Sequence, residues 1–320
     1  MTRLSAITPS GHAHAGNHLG ALRHWARDGG PEDLYFVSDL HAMTQSYSPP
    51  RLRALTRELL AVLVAEGIAP ERLCVQSDLV RELGALTWLL ECVCSYGEAA
   101  RMTQFKAKGD AAARLGLLTY PVLMAADILL QGAAEVPVGD DQLQHVELAR
   151  SLARRFNSTY GEVFTVPRAV TPPTAARVRD LSAPDRKMSK STRDAAGTVF
   201  LLDPPDLIRR KVARAVTDSS DHSAGVAYLP DERPGAANLI EIYAACAGVA
   251  PKEVEFGSYG ELKSAVAEAL VEELRPVRER VQELLADPGE LDRIRADGAQ
   301  RARERGAHRL SSALRLAGVG

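Results

Sequence analysis

Residues 3–30 read RLSAITPSGHAHAGNHLGALRHWARDGG, and the succession of textures inside this stretch decides the fold. A short run of β type, Arg3 to Ile7, breaks at a Thr-Pro-Ser-Gly turn. Gly16–Asn17 then leads into a segment that places Leu19, Leu22 and Ala26 on one helical face and stops at Gly29–Gly30. A strand, a glycine-rich turn and a helix in that order open an α/β layer. Ligands of such sheets bind beyond the carboxyl ends of the strands, where helix N-termini offer free N–H groups to anions. Gly11 and Gly16 allow close backbone approach, and His14 has an imidazole N–H to give a phosphate. The competing reading is a metal site built from His12, His14 and His18. His12 and His14 share a side only in an extended segment, and His14 and His18 only in a helix. No Asp, Glu or Cys nearby completes a ligand set. By itself the H-x-G-N turn leaves a phosphate cradle and an ordinary loop both open.

Outward from this stretch the alternation continues. LYFVS (34–38), LCVQS (73–77), EVPVG (135–139) and ARVRDL (176–181) are further strand candidates. Between them PPRLRALTRELLAVLVAEG carries Leu52, Leu55, Leu59, Val62 and Leu63 at helical spacing, opened by Pro49–Pro50 and closed by Gly67. DQLQHVELARSLARRFN reads as another helix. Strand–helix alternation predicts a parallel sheet covered on both faces, a doubly wound α/β fold. Beyond residue 192 the texture changes to helical patterns alone, so a second, α-helical domain is expected at 193–320 after an α/β domain at 1–192. Residues 291–316 hold seven arginines against three acids, read here as a solvated helix face.

The totals exclude some function classes. Net charge is −2, so nucleic-acid contact must rely on a local patch. Cys74, Cys92, Cys94 and Cys246 form no C-x-x-C pair and read as buried thiols of a reducing compartment. The N-terminus has no apolar signal segment, and Pro121, Asp127, Gln131 and Glu135 interrupt the most membrane-like stretch, 117–138. A cytoplasmic protein without membrane contact is expected.

A second chemical element is KMSKS at 187–191, inside SAPDRKMSKSTRD at the junction of the two halves. Lys187 and Lys190 with Ser189 and Ser191 make a cationic, hydroxyl-rich loop suited to the charge that builds on a departing pyrophosphate. Asp127 is the third. Leu123, Met124, Leu130 and Gln131 are its helical neighbours, so its carboxylate is expected to be buried and to need a donor. Indole offers one N–H donor, and a carboxylate is purely an acceptor.

HAGN (14–17) and KMSKS (187–191) together resemble the two nucleotide motifs of class I aminoacyl-tRNA synthetases. ARMTQFKAK (100–108), GLLTYPVLMAADILL (116–130), GDDQLQH (139–145), AVTDS (215–219) and LRPVRER (274–280) are similar to segments of the bacterial tryptophanyl-tRNA synthetase family. The likeness covers essentially the whole chain from residue 4. It implies a Rossmann-like catalytic domain and a helical anticodon-binding domain whose last helix packs back on the first. It places Thr8, Pro9, Ser10, Gly16 and Asn17 at ATP with His14 near the phosphates. Gly139, Asp140 and Asp141 would meet the ribose side and Val178 the adenine. Lys108, Lys187 and Lys190 would hold phosphates, with Met188, Ser189 and Ser191 in the same loop. Tyr120 and Gln142 would meet the amino-acid head group. Leu4, Met124, Val136 and Val138 would wall the indole slot beside Asp127 and His41. For Met124 and the valines, core packing is an equally good reading from the residues alone.

The implied reaction joins L-tryptophan to ATP, giving tryptophanyl-adenylate and pyrophosphate, and then charges tRNA(Trp). Magnesium would come with the ATP phosphates, with no iron–sulfur cluster, structural zinc or DNA involved. Residues 146–156 resemble the family's dimer contact, implying a homodimer. A tyrosyl-tRNA synthetase, a small-molecule adenylyltransferase and a non-catalytic tRNA-binding paralogue are the rival readings. The chain departs from its family where G-x-Q-P-[ST]-G is common, having Ala6 and Thr8. His14 stands where threonine is frequent, and the loop after Lys108 is shorter. These departures imply an auxiliary copy whose pocket tolerates tryptophan-mimicking inhibitors.

Overall fold

Strand β1 (Leu4–Ile7) pairs in parallel with β2 (Leu34–Val37), and β2 with β3 (Leu73–Val75), in the order β1-β2-β3. The computed structural model describes residues 1–102, 114–171, 177–189, 195–217 and 225–319. A second parallel pair, β4 (Glu135–Pro137) and β5 (Arg168–Val170), is attached to the first sheet through a bridge between Arg3 and Glu135. Backbone N–H groups of Ala134 and Glu135 add hydrogen bonds to the Thr2 carbonyl, at 2.9 and 3.3 Å. Above that join β1 and β4 share no ladder, so the strand order turns around at an open seam. That is where an open α/β sheet binds its ligands.

The helices follow from local chemistry. After β1, α1 (Ala15–Asn17) passes through a π turn, His18–Leu22, into α2 (Arg23–Asp28). Gly29 ends it in an extended conformation, and a Cβ there would lie 2.1 Å from the Arg72 guanidinium and 2.2 Å from the Tyr35 hydroxyl. Close approach, rather than a left-handed turn, is what requires glycine at this stop. After β2 come α3 (Asp39–Ala42) and α4 (Pro49–Ala65), whose two prolines occupy the first turn, where N–H groups lack partners anyway. α5 (Val80–Val93) and α6 (Tyr96–Ala100) follow β3. α7 (Leu115–Gln131) contains Pro121 and ends at Gly132, whose φ of +66° suits glycine. α8 (Leu143–Tyr160) joins β4 to β5. The second half contributes α9 (Pro205–Ala213), α10 (Pro234–Ala247), α11 (Tyr259–Ala286) and α12 (Pro288–Leu316).

Period-two alternation in β1–β3 divides the core between the two sheet faces. Leu4, Leu34, Phe36 and Cys74 pack with α5, α7 and α8. Tyr35, Val37, Leu73 and Val75 belong to the other cluster, which continues through Val199, Ile208, Leu239 and Leu270 to Leu284 and Leu291. The helices of the second half therefore share the core of the first along that face.

The structure departs from the sequence reading at three places. The described part of the 176–181 strand candidate, 177–181, does not form a strand. Within 177–181, Arg179 makes an isolated antiparallel bridge with Lys187, and residue 176 lies outside the described residues. The fifth strand is instead β5, too short and polar (Arg168, Ala169, Val170) to show a strand pattern. The arginine-rich α12 is not merely a solvated face. It lies against β3 so closely that a Cβ on Gly298 would be 2.1 Å from the Leu73 carbonyl oxygen. Arg295 forms two 2.7 Å bonds with Asp78, Arg305 pairs with Glu32 at 3.2 Å, and Arg309 donates to the Leu130 carbonyl at 3.3 Å. This helix covers the sheet edge that β3 would otherwise present. Of the four thiols only Cys74 is buried, and Cys92 is exposed.

Candidate active site

A cleft of about 790 Å³ opens along the seam between β1 and β4. Leu4, Thr8, Ser10, His41, Tyr120, Met124, Asp127, Val136, Val138, Gly139, Gln142 and Lys187 all line it. Residues drawn from widely separated parts of the sequence thus meet in one space.

Its apolar end is built around Asp127. Thirteen residues into α7, this carboxylate is only 4% exposed. The amide nitrogen of Gln76 lies 3.0 and 2.8 Å from its two oxygens, and His41 Nε2 lies 3.1 Å from Oδ2. A carboxylate only accepts, so the His41 nitrogen facing it is the one that carries hydrogen. Gln76 is fully buried just past β3, and its own carbonyl accepts from the Leu40 N–H at 3.1 Å. The adjacent Ser77 donates to Asp39 through its backbone N–H (2.9 Å) and hydroxyl (2.6 Å). Burial pushes the Asp39 carboxyl above its usual range, opposed by those bonds from Ser77. Asp127 is therefore buried as expected, and the donor it needs is already supplied within the chain by Gln76 and His41. What the cleft adds is spare lone-pair capacity on an oriented carboxylate.

Leu4, Met124, Val136 and Val138 surround this end, and Leu4 and Val136 are buried. Tyr120 faces His145, with 2.7 Å between its hydroxyl and Nε2. Burial, reinforced by Asp141, pushes the Tyr120 hydroxyl up to about 12. Burial likewise lowers the His145 pKa and favours the neutral imidazole. Gln142 donates to Asp141 at 3.0 Å beside Gly139. Thr8 and Ser38 hydroxyls are 3.0 Å apart at the turn after β1.

Lys187 lines the cleft from an antiparallel hairpin. Met188 N–H donates to the Val178 carbonyl (3.2 Å) and Asp180 N–H to the Arg186 carbonyl (2.9 Å). Val178 and Met188 are 2% exposed and anchor the hairpin in the core, which leaves Lys187 on the cleft side. The chain that follows this loop then meets the opening stretch directly. Ala15 N–H bonds to the Val199 carbonyl at 2.8 Å and Leu201 N–H to the Ala13 carbonyl at 2.9 Å.

Several residues expected at the site do not line the cleft: Pro9, His14, Gly16, Asn17, Asp141, Val178, Met188 and Ser189. His14 is 2% exposed, and its ring lies so near Gly16 that a Cβ there would be 3.1 Å from Nδ1 and 3.3 Å from Val178 Cβ. Lys108, Lys190 and Ser191 lie outside the described residues. Asp140 starts a short 3₁₀ turn, Asp140–Gln142. His12 and His18 face different partners, Glu58 for the first and Glu66 with Glu273 for the second. The sequence reading missed Gln76, whose only signal is an amide immediately past a strand's carboxyl end. It also missed the reach of the cleft along α2 to His24, Trp25 and Asp28.

The profile of the tRNA synthetases class I (W and Y) matches residues 1–275. The chain belongs to this family of class I tRNA synthetases. Tryptophan–tRNA ligase 1 of Streptomyces coelicolor is 51% identical, with 100% of this chain and 98% of the relative covered. The crystal structure of tryptophanyl-tRNA synthetase from Mycoplasma pneumoniae superposes with a TM-score of 0.84 at 30% identity, over 100% of this chain and 98% of that one. The Campylobacter jejuni tryptophanyl-tRNA synthetase complexed with ADP and tryptophan gives a TM-score of 0.83 at 30% identity, over 100% of both. These similarities are to the bacterial tryptophanyl branch of the family.

Proposed function

We infer that this chain is a tryptophan–tRNA ligase, which activates L-tryptophan with ATP and transfers it to tRNA(Trp). The observation that carries this reading is Asp127. It is a buried carboxylate, oriented by Gln76 and His41, on a cleft that apolar side chains and Lys187 also line. An indole fits the apolar walls and gives its single N–H to the carboxylate. The substrate carboxylate then attacks the α-phosphate in line, pyrophosphate departs, and no protein nucleophile is needed. Catalysis is positioning with charge stabilisation. Thr8, Ser10 and Gly139 line the path that ATP would take, and Lys187 would neutralise charge on the leaving pyrophosphate.

Among the described residues no three His, Cys, Asp or Glu side chains converge to hold a metal. From the family likeness, magnesium is read as arriving on the phosphates of ATP, whose charge it neutralises. Residues 193–320, which hold α9–α12, are read as the anticodon-binding domain, its last helix packing back on the catalytic half. No helix of the described residues is long and apolar enough to cross a membrane, and the reaction belongs in the cytoplasm with its tRNA. The family likeness also supports a homodimer. The apolar residues of 146–156 (Val146, Leu148, Leu152, Phe156) are buried in the chain's own core, whereas Trp88 and Tyr96 are exposed on α5 and α6. A second copy would seat on that side.

Pyrophosphate exchange with a panel of amino acids, followed by charging of tRNA(Trp), tests the reading. Exchange driven by tryptophan and charging of that tRNA are expected. Exchange driven by tyrosine would overturn the specificity, and no exchange with any amino acid would overturn the activity.

A further inference from the structure

The hairpin that carries Lys187 has its turn tied locally, by Arg186 N–H to the Ala183 carbonyl (2.9 Å) and by Asp180 Oδ1 accepting from the Ser182 and Ala183 N–H groups. Two backbone bonds close it, Met188 N–H to Val178 and Asp180 N–H to Arg186, and a lone two-stranded hairpin is marginal in water. Arg179 is bridged to Lys187 across the hairpin. The bonds on either side of this pair are made by its neighbours, so the N–H and C=O of Arg179 point outward. Both are taken by one side chain, Asn238, from the second turn of α10. Its Oδ1 accepts from the Arg179 N–H at 2.8 Å and its Nδ2 donates to the Arg179 carbonyl at 3.1 Å. Asn238 is 2% exposed. Its amide thus replaces a third strand along the edge of the hairpin. The placement of α10 is fixed in turn at Gly235, where a Cβ would lie 2.3 Å from the Val216 carbonyl oxygen. Val216 N–H also donates to the Leu181 carbonyl at 2.7 Å, in the same limb of the hairpin.

We propose that Asn238 is a positioning residue for amino-acid activation, acting from the helical half through the Arg179 backbone to set Lys187 against the leaving pyrophosphate. The inference rests on the reading of Lys187 given above. Asn238 touches no substrate. Its removal leaves two part-buried backbone groups without this side-chain partner and frees the hairpin to shift, and displacements near 1 Å are enough to cost about 10²-fold in rate.

The test is tryptophan-dependent pyrophosphate exchange by Asn238→Ala and Asn238→Asp, each in the wild-type and Lys187→Ala backgrounds, with folding checked by circular dichroism. Asn238→Asp keeps the volume and the acceptor for the Arg179 N–H while losing the donor, so it tests the same pairing should the alanine variant not fold. In the wild-type background kcat is expected to fall about 30-fold for Ala and less for Asp, with tryptophan affinity by equilibrium dialysis unchanged within about twofold. In the Lys187→Ala background the further loss is expected to shrink below about threefold, because the group being positioned is gone. Equal losses in both backgrounds, or equal losses in kcat and tryptophan affinity, would overturn the proposal. A slow Lys187→Ala beside a fully active Asn238→Ala would overturn it alone. A fully active Lys187→Ala would remove the reading of Lys187, and this inference with it.

Discussion

Asp127 and His18 are equally shielded from water, each 4% exposed, yet one opens on the cleft and the other is closed in by its partners. Asp127 is held by two side-chain donors, Gln76 and His41, and it also lines the cleft beside Met124, Val136 and Val138. His18 uses both ring nitrogens: Nδ1 meets Glu66 at 2.8 Å and Nε2 meets Glu273 at 2.9 Å. Arg23 completes the cluster, donating to Glu273 at 3.1 Å and to the Ala245 carbonyl at 3.0 Å. The second cluster ties the first helical segment to α4 and to two helices of the second half. Burial of a charge therefore does not mark a ligand site. Unspent hydrogen-bonding capacity turned toward an open volume does.

The largest effect that tests this contrast is expected at the cleft. Asp127→Ala should lower kcat/KM for tryptophan about 10³-fold in pyrophosphate exchange, on the order of 4 kcal/mol. Gln76→Ala, which leaves the carboxylate in place but unoriented, should cost roughly tenfold to thirtyfold, about 1.5–2 kcal/mol. If the two losses were equal, the carboxylate would act only through its partner.

His18→Gln should instead cost about 3 kcal/mol of stability at pH 7 in urea unfolding, because the buried Glu66 carboxylate loses its cation while half-buried Glu273 keeps only Arg23. Activity per folded molecule should stay within about threefold. Burial opposes protonation of His18, but the hydrogen bonds its ring gives to Glu273 and Glu66 outweigh it and hold its pKa up at about 9. The folded value is above the unfolded one, near 6.5. The contribution is therefore complete below about pH 6.5 and lost as pH rises through about 9. Wild-type stability should fall over that window, and the same fall should be absent in His18→Gln. A catalytic loss larger than the loss of stability would place His18 with Asp127 after all.

The smallest effect belongs to Thr8, 3.0 Å from Ser38 at the cleft's rim. Thr8→Gln restores the side chain common in the family. We expect it to shift the inhibition constant of a tryptophan-mimicking inhibitor by about threefold to tenfold, the scale of one hydrogen bond. Equal constants for the two proteins would remove the idea of an inhibitor-tolerant pocket.

Much of this was legible in the linear chain. The strand at 4–7, its turn and the helix at 15–28 follow from local periodicity and glycine placement, which act over a few residues. Asp127 was legible because an acid among apolar helical neighbours must be buried. Gln76 was not, since one polar residue past a strand has no period to betray it. The edge contact of α12 was hidden for a related reason. Seven arginines in a helix look solvated until Asp78 and Glu32 are known to lie opposite them. β5 escaped because three residues make too short a run.

His12, His14 and His18 show how far each level reaches. Spacing alone argued against one shared metal, because side-chain direction is dictated by the local backbone. Which carboxylates His12 and His18 would meet depends on Glu58, Glu66 and Glu273, the last of them 255 residues from His18. Local backbone preference and the two nucleotide motifs were thus set by the order of residues. The partners of each buried charge, the seam between β1 and β4 and the pairing of Asn238 with Arg179 were set by packing. Such contacts join segments whose separation along the chain carries no information about their distance in space.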